Sequence, residues 1–91
     1  MNNLSLPGFQ HALMAIHGAH SRFEKRVRVV EEIEGVRVWE GDVLVFELLD
    51  HPTATRCYTW EIDGEVTAIL HDDLAKSPRD AVRTALDPID F

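Results

Sequence analysis

The stretch RCYTWEIDGEVTAILH, residues 56–71, decides the fold because it places Asp63-Gly64 between two β-rich runs. A two-residue type I′ turn needs positive φ at both central positions, and Asp-Gly is a favoured pair for it. Such a turn makes Ile62 face Glu65, and every other pairing in the hairpin follows from that one. The sequence therefore predicts an antiparallel hairpin whose side chains alternate between two faces.

A helical pattern precedes the hairpin. Ser5 and Pro7 form a helix start, with proline near the first turn, where its missing N–H costs nothing. Spacings of four and three positions predict one helical face for Phe9, Leu13, Ile16, His20 and Phe23. Because Gly18 weakens the helix, we place it at about 6 to 21. The β-branched run that follows favours a strand at about 25 to 33, although the same spacing continues there and leaves a longer helix as the alternative.

Further strands are predicted in the middle of the chain. Glu34-Gly35 is a turn signal, and residues 36–50 follow as one long strand or two short ones. Gly41 indicates a bulge or bend within them. The run VLVFELL, residues 43–49, is almost continuously apolar, which is typical of a strand covered on both faces.

The last helix is predicted from Ser77-Pro78-Arg79-Asp80, which resembles a capping box with proline at the first helical position. Asp87-Pro88 ends this helix. Its apolar side is predicted to consist of Val82, Ala85, Leu86 and Ile89. The expected fold is α+β, a single domain over residues 1–91 with an N-terminal helix, an antiparallel β-meander of three to four strands and a C-terminal helix.

The hairpin register separates two apolar faces of the sheet. One face carries Tyr58, Trp60, Ile62 and Ile69, and we call it the aromatic face; Cys57 lies on the other, among smaller residues. If both helices cover the Cys57 face, the aromatic face is left for a ligand or a second subunit. The alternative is that the helices pack on the aromatic face. We expect the first arrangement and a homo-oligomer, because so small a domain with one cysteine has no internal disulfide to stabilise it.

Polar side chains gather where one predicted strand begins and two others end, which in a meander is one edge of the sheet. The residues of this polar edge are Asp50, His51, Arg56, His71, Asp72 and Asp73. Histidine and carboxylate groups at one edge would bind a divalent metal or carry acid–base chemistry. Their spacing matches no known ligand signature, and Asp-His-Pro-Thr is typical of a turn. We therefore expect a structural loop without a bound metal.

Two other chemistry-bearing residues are predicted to be structural. Cys57 and His71 point to opposite faces, which disfavours a Cys–His dyad, and a lone cysteine among aliphatic neighbours is typical of a buried side chain. His20 is predicted to face the core with its ring nitrogens hydrogen-bonded.

The formal net charge of −7 is unevenly distributed. Residues 22–28 carry four basic residues against Glu24, whereas residues 31–73 hold twelve acidic residues and two arginines. This surface repels phosphate backbones, so we expect no nucleic-acid partner. No apolar run approaches the roughly 20 residues of a membrane span, and the first 20 residues lack the basic start of a signal peptide. We expect a cytoplasmic protein without membrane contact and without a cofactor.

The pattern VWEG…HPTATRCYTW…AILH…SPRDAVR, within residues 38–83, resembles small uncharacterised proteobacterial proteins, some of which are carried on mobile gene cassettes. The resemblance implies a bacterial, cytoplasmic accessory protein and brings no assigned activity. The expected function is a small acidic self-associating binding module for a protein or a small apolar ligand. The alternatives are a metal-dependent or acid–base enzyme that uses the polar edge, and an acidic decoy for a basic protein surface.

Overall fold

The order of helices and strands confirms the α+β prediction. The structure is a computed structural model, and it describes residues 5–86. Within that range the chain forms α1 (Leu6–His17), β1 (Ser21–Ile33), β2 (Val36–Leu48), β3 (Arg56–Ile62), β4 (Glu65–Leu70) and α2 (Pro78–Leu86). The strands form an antiparallel sheet in the order β1-β2-β3-β4. Neither helix in this part of the chain is long and apolar enough to cross a membrane.

Helix α1 is shorter than predicted because Gly18 ends it. At the start, the Ser5 Oγ accepts a hydrogen bond from the Gly8 N–H at 3.2 Å. At the end, Gly18 adopts a left-handed φ of 67°, and its N–H donates to the Met14 carbonyl at 2.9 Å. His20 therefore lies beyond the helix and is exposed. The prediction that His20 faces the core is wrong.

Strands β1 and β2 form a long hairpin, which excludes the longer-helix alternative for residues 25–33. Glu34 and Gly35 close it with φ values of 53° and 81°, both in the left-handed region. The register shifts twice along the ladder and leaves Glu24 of β1 and Val38 of β2 as the bulged residues. Gly41 pairs regularly with Val29, so the predicted bulge at Gly41 is wrong.

Gly41 makes room for the side chain of Trp39. A Cβ at position 41 would lie 2.9 Å from two atoms of the Trp39 ring. The ring passes over Gly41 and meets Trp60 of β3 edge-on, with the ring centroids 5.8 Å apart. Glycine at this position therefore permits a tryptophan pair that joins the two hairpins.

The β3–β4 hairpin has the predicted register. Ile62 pairs with Glu65 and Tyr58 pairs with Ile69. The two turn residues have positive φ values, 52° for Asp63 and 85° for Gly64, as a type I′ turn requires.

The sheet carries one helix on each face. The α1 core and the α2 core divide the buried side chains between them. The α1 core contains Phe9, Leu13, Ala19, Leu44, Phe46, Leu48, Ala54 and Cys57. The α2 core contains Val29, Val43, Val45, Tyr58, Trp60, Ala75, Ala81 and Val82. Because residues 43–46 are buried on both sides of β2, one helix cannot cover them, and the prediction that both helices share a face is wrong.

Helix α2 begins with a variant of the predicted capping box. The Ser77 Oγ accepts a hydrogen bond from the Asp80 N–H at 3.1 Å, and the Asp80 carboxylate accepts from the Lys76 N–H at 3.4 Å. Its buried side consists of Ala81 and Val82. Ala85 and Leu86, predicted for the apolar side, are exposed. Ile89 and the predicted helix end at Asp87-Pro88 lie outside the described residues.

A buried carboxylate attaches α2 to β1. The Glu31 side chain is 6% exposed and accepts a hydrogen bond from Arg83 Nε at 2.8 Å, with Arg79 Nε at 4.0 Å. The hydrogen bond from Arg83 is the main reason that the pKa of Glu31 is lowered from its ordinary value. Folding therefore favours the charged form of Glu31.

We predict that Gly41→Ala destabilises the protein through Trp39 alone. The added methyl group would displace the Trp39 ring from Trp60, and we expect the free energy of unfolding to fall by about 1–2 kcal/mol. Urea denaturation followed by tryptophan fluorescence measures this. In a Trp39→Val background the same substitution should cost nothing, and an equal loss in both backgrounds would contradict the steric explanation.

We predict that Glu31 stabilises the fold only where it is charged. Because its pKa is lowered in the folded state, its contribution is present above the ordinary value of 4.5 and is lost as pH falls through the lowered pKa. The urea midpoint of the wild type should exceed that of Glu31→Gln at pH 7, and the gap should close as pH falls through the lowered pKa of Glu31. Glu32→Gln, at the exposed neighbouring position, is the control and should show no such gap.

Candidate functional site

The polar edge forms as the topology predicts. Glu47, near the end of β2, pairs with Arg56 at the start of β3, and the His71 N–H donates to the Arg56 carbonyl at 2.9 Å just after β4 ends. The end of β2, the start of β3 and the end of β4 therefore lie at one edge of the sheet. What each polar side chain does there depends on its own partner.

Asp50 is paired with His20. One carboxylate oxygen accepts from His20 Nδ1 at 2.7 Å, and the other accepts from the His20 backbone N–H at 2.8 Å. Both hydrogen bonds lower the pKa of Asp50, and the bond from the His20 side chain has the larger effect. The prediction that His20 faces the core excluded this pair. Gly18 could have indicated that His20 lies beyond the helix, but it does not identify Asp50 as the partner of His20.

His51 holds the loop between β2 and β3. Its Nδ1 accepts hydrogen bonds from the backbone N–H groups of Thr53 at 3.2 Å and Ala54 at 3.0 Å. The His17 ring lies edge-on to it, with the centroids 6.4 Å apart, and His17 Nε2 donates to the carbonyl of Ala68 in β4 at 3.0 Å. Both histidine rings are therefore hydrogen-bonded to backbone groups.

Tyr58 and His71 meet on the α2 side of the sheet. The Tyr58 hydroxyl lies 2.6 Å from His71 Nδ1, in hydrogen-bonding contact. Burial raises the pKa of Tyr58, so the phenol stays protonated at neutral pH. Arg56 opposes His71, but its Nε donates to Glu24, the bulged residue of β1, at 3.0 Å.

The two aspartates after β4 differ. Asp72 closes a local turn, since its Oδ1 accepts from the backbone N–H groups of Leu74 at 2.8 Å and Ala75 at 3.0 Å. Asp73 is exposed. Asp72 therefore shapes the connection that leads to α2.

The polar edge consists of separate pairs. Asp50 binds to His20, Arg56 to Glu24 and His71 to Tyr58, while His51 and Asp72 bind to their own loops. Among residues 5–86, no group of three or more histidine, cysteine, aspartate or glutamate side chains is arranged to hold a metal ion. Apart from Asp73, each residue of the polar edge therefore makes a structural contact within the chain.

The aromatic face is covered by α2, which corrects its assignment as an open binding surface. Tyr58 and Trp60 are 1% and 3% exposed. Ile69 is partly buried against the same core, and Ile62 remains exposed at the end of β3. The face is occupied because the alternation along β2 places Val43 and Val45 on it as well.

Cys57 lies in the α1 core, on the opposite face from Tyr58. Burial raises the pKa of its thiol to about 12. A thiol in this state is not a nucleophile at neutral pH, since the thiolate is the reactive form. The prediction that Cys57 is buried is confirmed.

The open apolar surfaces in the described part of the chain include two that are formed by several residues each. The first is the α1 groove, an open depression of about 600 Å³ whose wall is mostly apolar and includes Pro7, Met14, Leu49 and His20. The second is the arm tip, which we define as Ile33, Val36 and Val38 at the closed end of the β1–β2 hairpin. These side chains are 55%, 62% and 43% exposed.

The arm tip extends past the rest of the sheet. Strand β2 pairs with β3 only over Leu44–Glu47, whereas its pairing with β1 continues to the turn at Glu34-Gly35. The distal part of the hairpin is therefore a two-stranded ribbon that carries apolar side chains into solvent.

Comparisons with models of protein families, with curated proteins and with solved structures found no match.

We predict that the side chain at position 51 stabilises the loop by providing a hydrogen-bond acceptor, which in His51 is Nδ1. His51→Ala leaves two backbone N–H groups without their partner, and we expect a loss of about 1 kcal/mol in unfolding free energy. Asparagine places a carbonyl oxygen near the same point, so His51→Asn should keep most of the stability. Thermal and urea unfolding measure both. His11→Ala, at an exposed position of α1, is the control; equal losses in the alanine and asparagine variants at position 51 would contradict the role.

Proposed function

We propose that the protein is a small self-associating binding module whose contact surface is the arm tip. The observation that carries the proposal is the exposure of Ile33, Val36 and Val38 at the end of a projecting ribbon. Contiguous apolar residues exposed in this way are typical of protein contact sites. A domain of 91 residues without an internal disulfide also gains stability from a partner subunit.

A protein partner fits the open surfaces better than a small apolar ligand. Small ligands usually bind in concave sites that enclose most of their surface. The α1 groove is open along its length, and the aromatic face is filled by α2. The arm tip is exposed at the end of the β1–β2 hairpin, beyond the pairing with β3, which suits contact with another folded surface.

The two alternative functions have less support. An enzyme at the polar edge would need Asp50, His51 and His71 to converge on one substrate, and each has a different structural partner. An acidic decoy would need free carboxylates. The acidic residues that instead bind arginines of the same chain are Glu24, Glu31, Glu40, Asp42 and Glu47.

We predict that the protein is larger than its 10.3 kDa chain mass in solution and that the arm tip is responsible. Light scattering at micromolar concentration measures the mass. The double variant Ile33→Thr, Val36→Thr keeps β-branched residues while removing apolar surface, and it should return the mass to that of one chain.

The matched control is Ile62→Thr, which changes an exposed isoleucine in the closing pair of the other hairpin. It should leave the mass of the assembly unchanged. A wild-type mass of one chain would reject self-association, and an assembly that survives the double variant would place the contact elsewhere.

A further inference from the structure

We propose that the outer edge of β1, residues 22–29, binds an extended segment of another protein in which acidic and apolar residues alternate. The segment would add to the sheet as a new strand beside β1. This inference goes beyond the proposed self-association and does not depend on the arm tip.

β1 is an edge strand of the sheet, and strand alternation determines which of its backbone groups are open. Thr59 of β3 pairs with Leu44 of β2, and its hydroxyl donates to the Leu44 carbonyl at 2.9 Å, so the Leu44 backbone points towards β3. Val43, the preceding residue of β2, directs its backbone N–H and C=O groups towards β1 and pairs with Val27. Arg26 and Arg28, on either side of Val27, therefore direct their N–H and C=O groups away from the sheet.

Helix side chains bind to the two ends of this edge and leave the middle open. The Gln10 side chain donates to the Ser21 carbonyl at 2.8 Å, and Arg79 donates to the Val30 carbonyl at 3.3 Å. The second bond agrees with the alternation, since it also places the Val30 carbonyl on the outer side. Among the described residues, no hydrogen bond from a helix or loop reaches the backbone between these two points. The open length suits an extended segment of about eight residues, because each residue of a strand spans about 3.3 Å. The bulge at Glu24 interrupts the alternation of β1, so the regular match of side chains begins at Lys25.

The side chains of the open edge specify what the segment contains. Arg26 and Arg28 lie on one face of the sheet, while Val27 and Val29 lie on the other. A strand beside them has the same alternation, so it would place acidic side chains next to the arginines and apolar ones next to the valines. Val27 is only partly buried and has apolar surface left to cover.

Charge favours an acidic segment over a second copy of the chain as the occupant of this edge. Residues 22–28 carry four basic residues against one acidic residue in a chain of net charge −7. Arg22 is paired with Glu47, and Arg28 is paired with Glu40 and Asp42 of β2. Lys25 and Arg26 have no ion pair within residues 5–86, but Lys25 lies on the face of Val27. Arg26 is therefore the arginine of the edge that is available to an acidic side chain of the segment. The same charges repel the basic edge of a second copy, which is a common protection of edge strands. A nucleic acid is negatively charged as well, but its phosphate backbone cannot pair with the N–H and C=O groups of β1 as a strand does.

The experiment uses an eight-residue peptide that alternates glutamate with valine and is blocked at both ends. The control peptide has the same composition in two blocks, four glutamates followed by four valines. We expect the alternating peptide to bind with micromolar Kd in calorimetry. The control peptide, in which four glutamates precede four valines, should bind at least about tenfold more weakly. Amide hydrogen exchange at Arg26 and Arg28 should slow on binding. Equal affinity for the two peptides, or no binding of either, would overturn the proposal.

Variants of the protein test the charge. Arg26→Gln should weaken binding about fivefold, while Arg37→Gln, which removes an exposed arginine of β2, should leave it unchanged. If both variants weaken binding equally, the edge is not the site. A short single-stranded DNA is titrated in parallel, and tighter binding of the DNA than of the alternating peptide would also overturn the proposal.

N-methylated peptides test the backbone pairing without altering the protein. One version carries methyl groups on the glutamate nitrogens and the other on the valine nitrogens. Only one set of N–H groups faces β1, so one version should lose binding and the other should keep it. Loss of binding in the glutamate version indicates antiparallel addition. In an antiparallel pair, the glutamates directly opposite Arg26 and Arg28 exchange both backbone hydrogen bonds with them, so their N–H groups face β1. Equal behaviour of the two versions would overturn strand addition. Self-association is read separately from the mass of the peptide-free protein.

Discussion

The burial of β2 on both faces is the constraint on which the rest of the structure depends. Val43, Leu44, Val45 and Phe46 are all buried, and alternation sends their side chains to opposite sides of the sheet. A sheet with an apolar strand of this kind needs a layer on each side. The chain supplies α1 before the sheet and α2 after it, one for each face. The aromatic face is consequently part of the core.

Local features of the sequence were sufficient to predict the β3–β4 hairpin. Asp63-Gly64 has the chemistry of one turn type, and a two-residue turn allows one register, so the pairing of Tyr58 with Ile69 followed directly. The burial of Cys57 was predicted from its aliphatic neighbours, and the cover on both faces of β2 was predicted from the continuous apolar run at residues 43–49. The placement of the helices was not predictable in this way, because an apolar helix face packs equally well on either side of an apolar sheet.

The polar edge shows where sequence reasoning ends. Strand order predicted that Asp50, Arg56 and His71 would lie at the same edge, and they do. Their partners depend on side-chain reach and on irregular backbone. Glu24 reaches Arg56 across β2 from a bulge in β1, and His20 reaches Asp50 because Gly18 turns the chain out of its helix. Neither a bulge nor a left-handed glycine has a signal strong enough to place a distant partner.

The short pairing between β2 and β3 has a consequence for how the molecule opens. In the described part of the chain, β2 and β3 share four residue pairs, against twelve between β1 and β2 and six between β3 and β4. The boundary between the two hairpins is therefore the weakest line in the backbone hydrogen bonding. Both helices contact β1 and β4, the two outer strands, from opposite sides. They connect the hairpins across that boundary, so separating the hairpins requires the loss of both cores at once. A protein built in this way has no half that can unfold while the other half keeps its native packing, and its protection against proteolysis should rise and fall as a single unit.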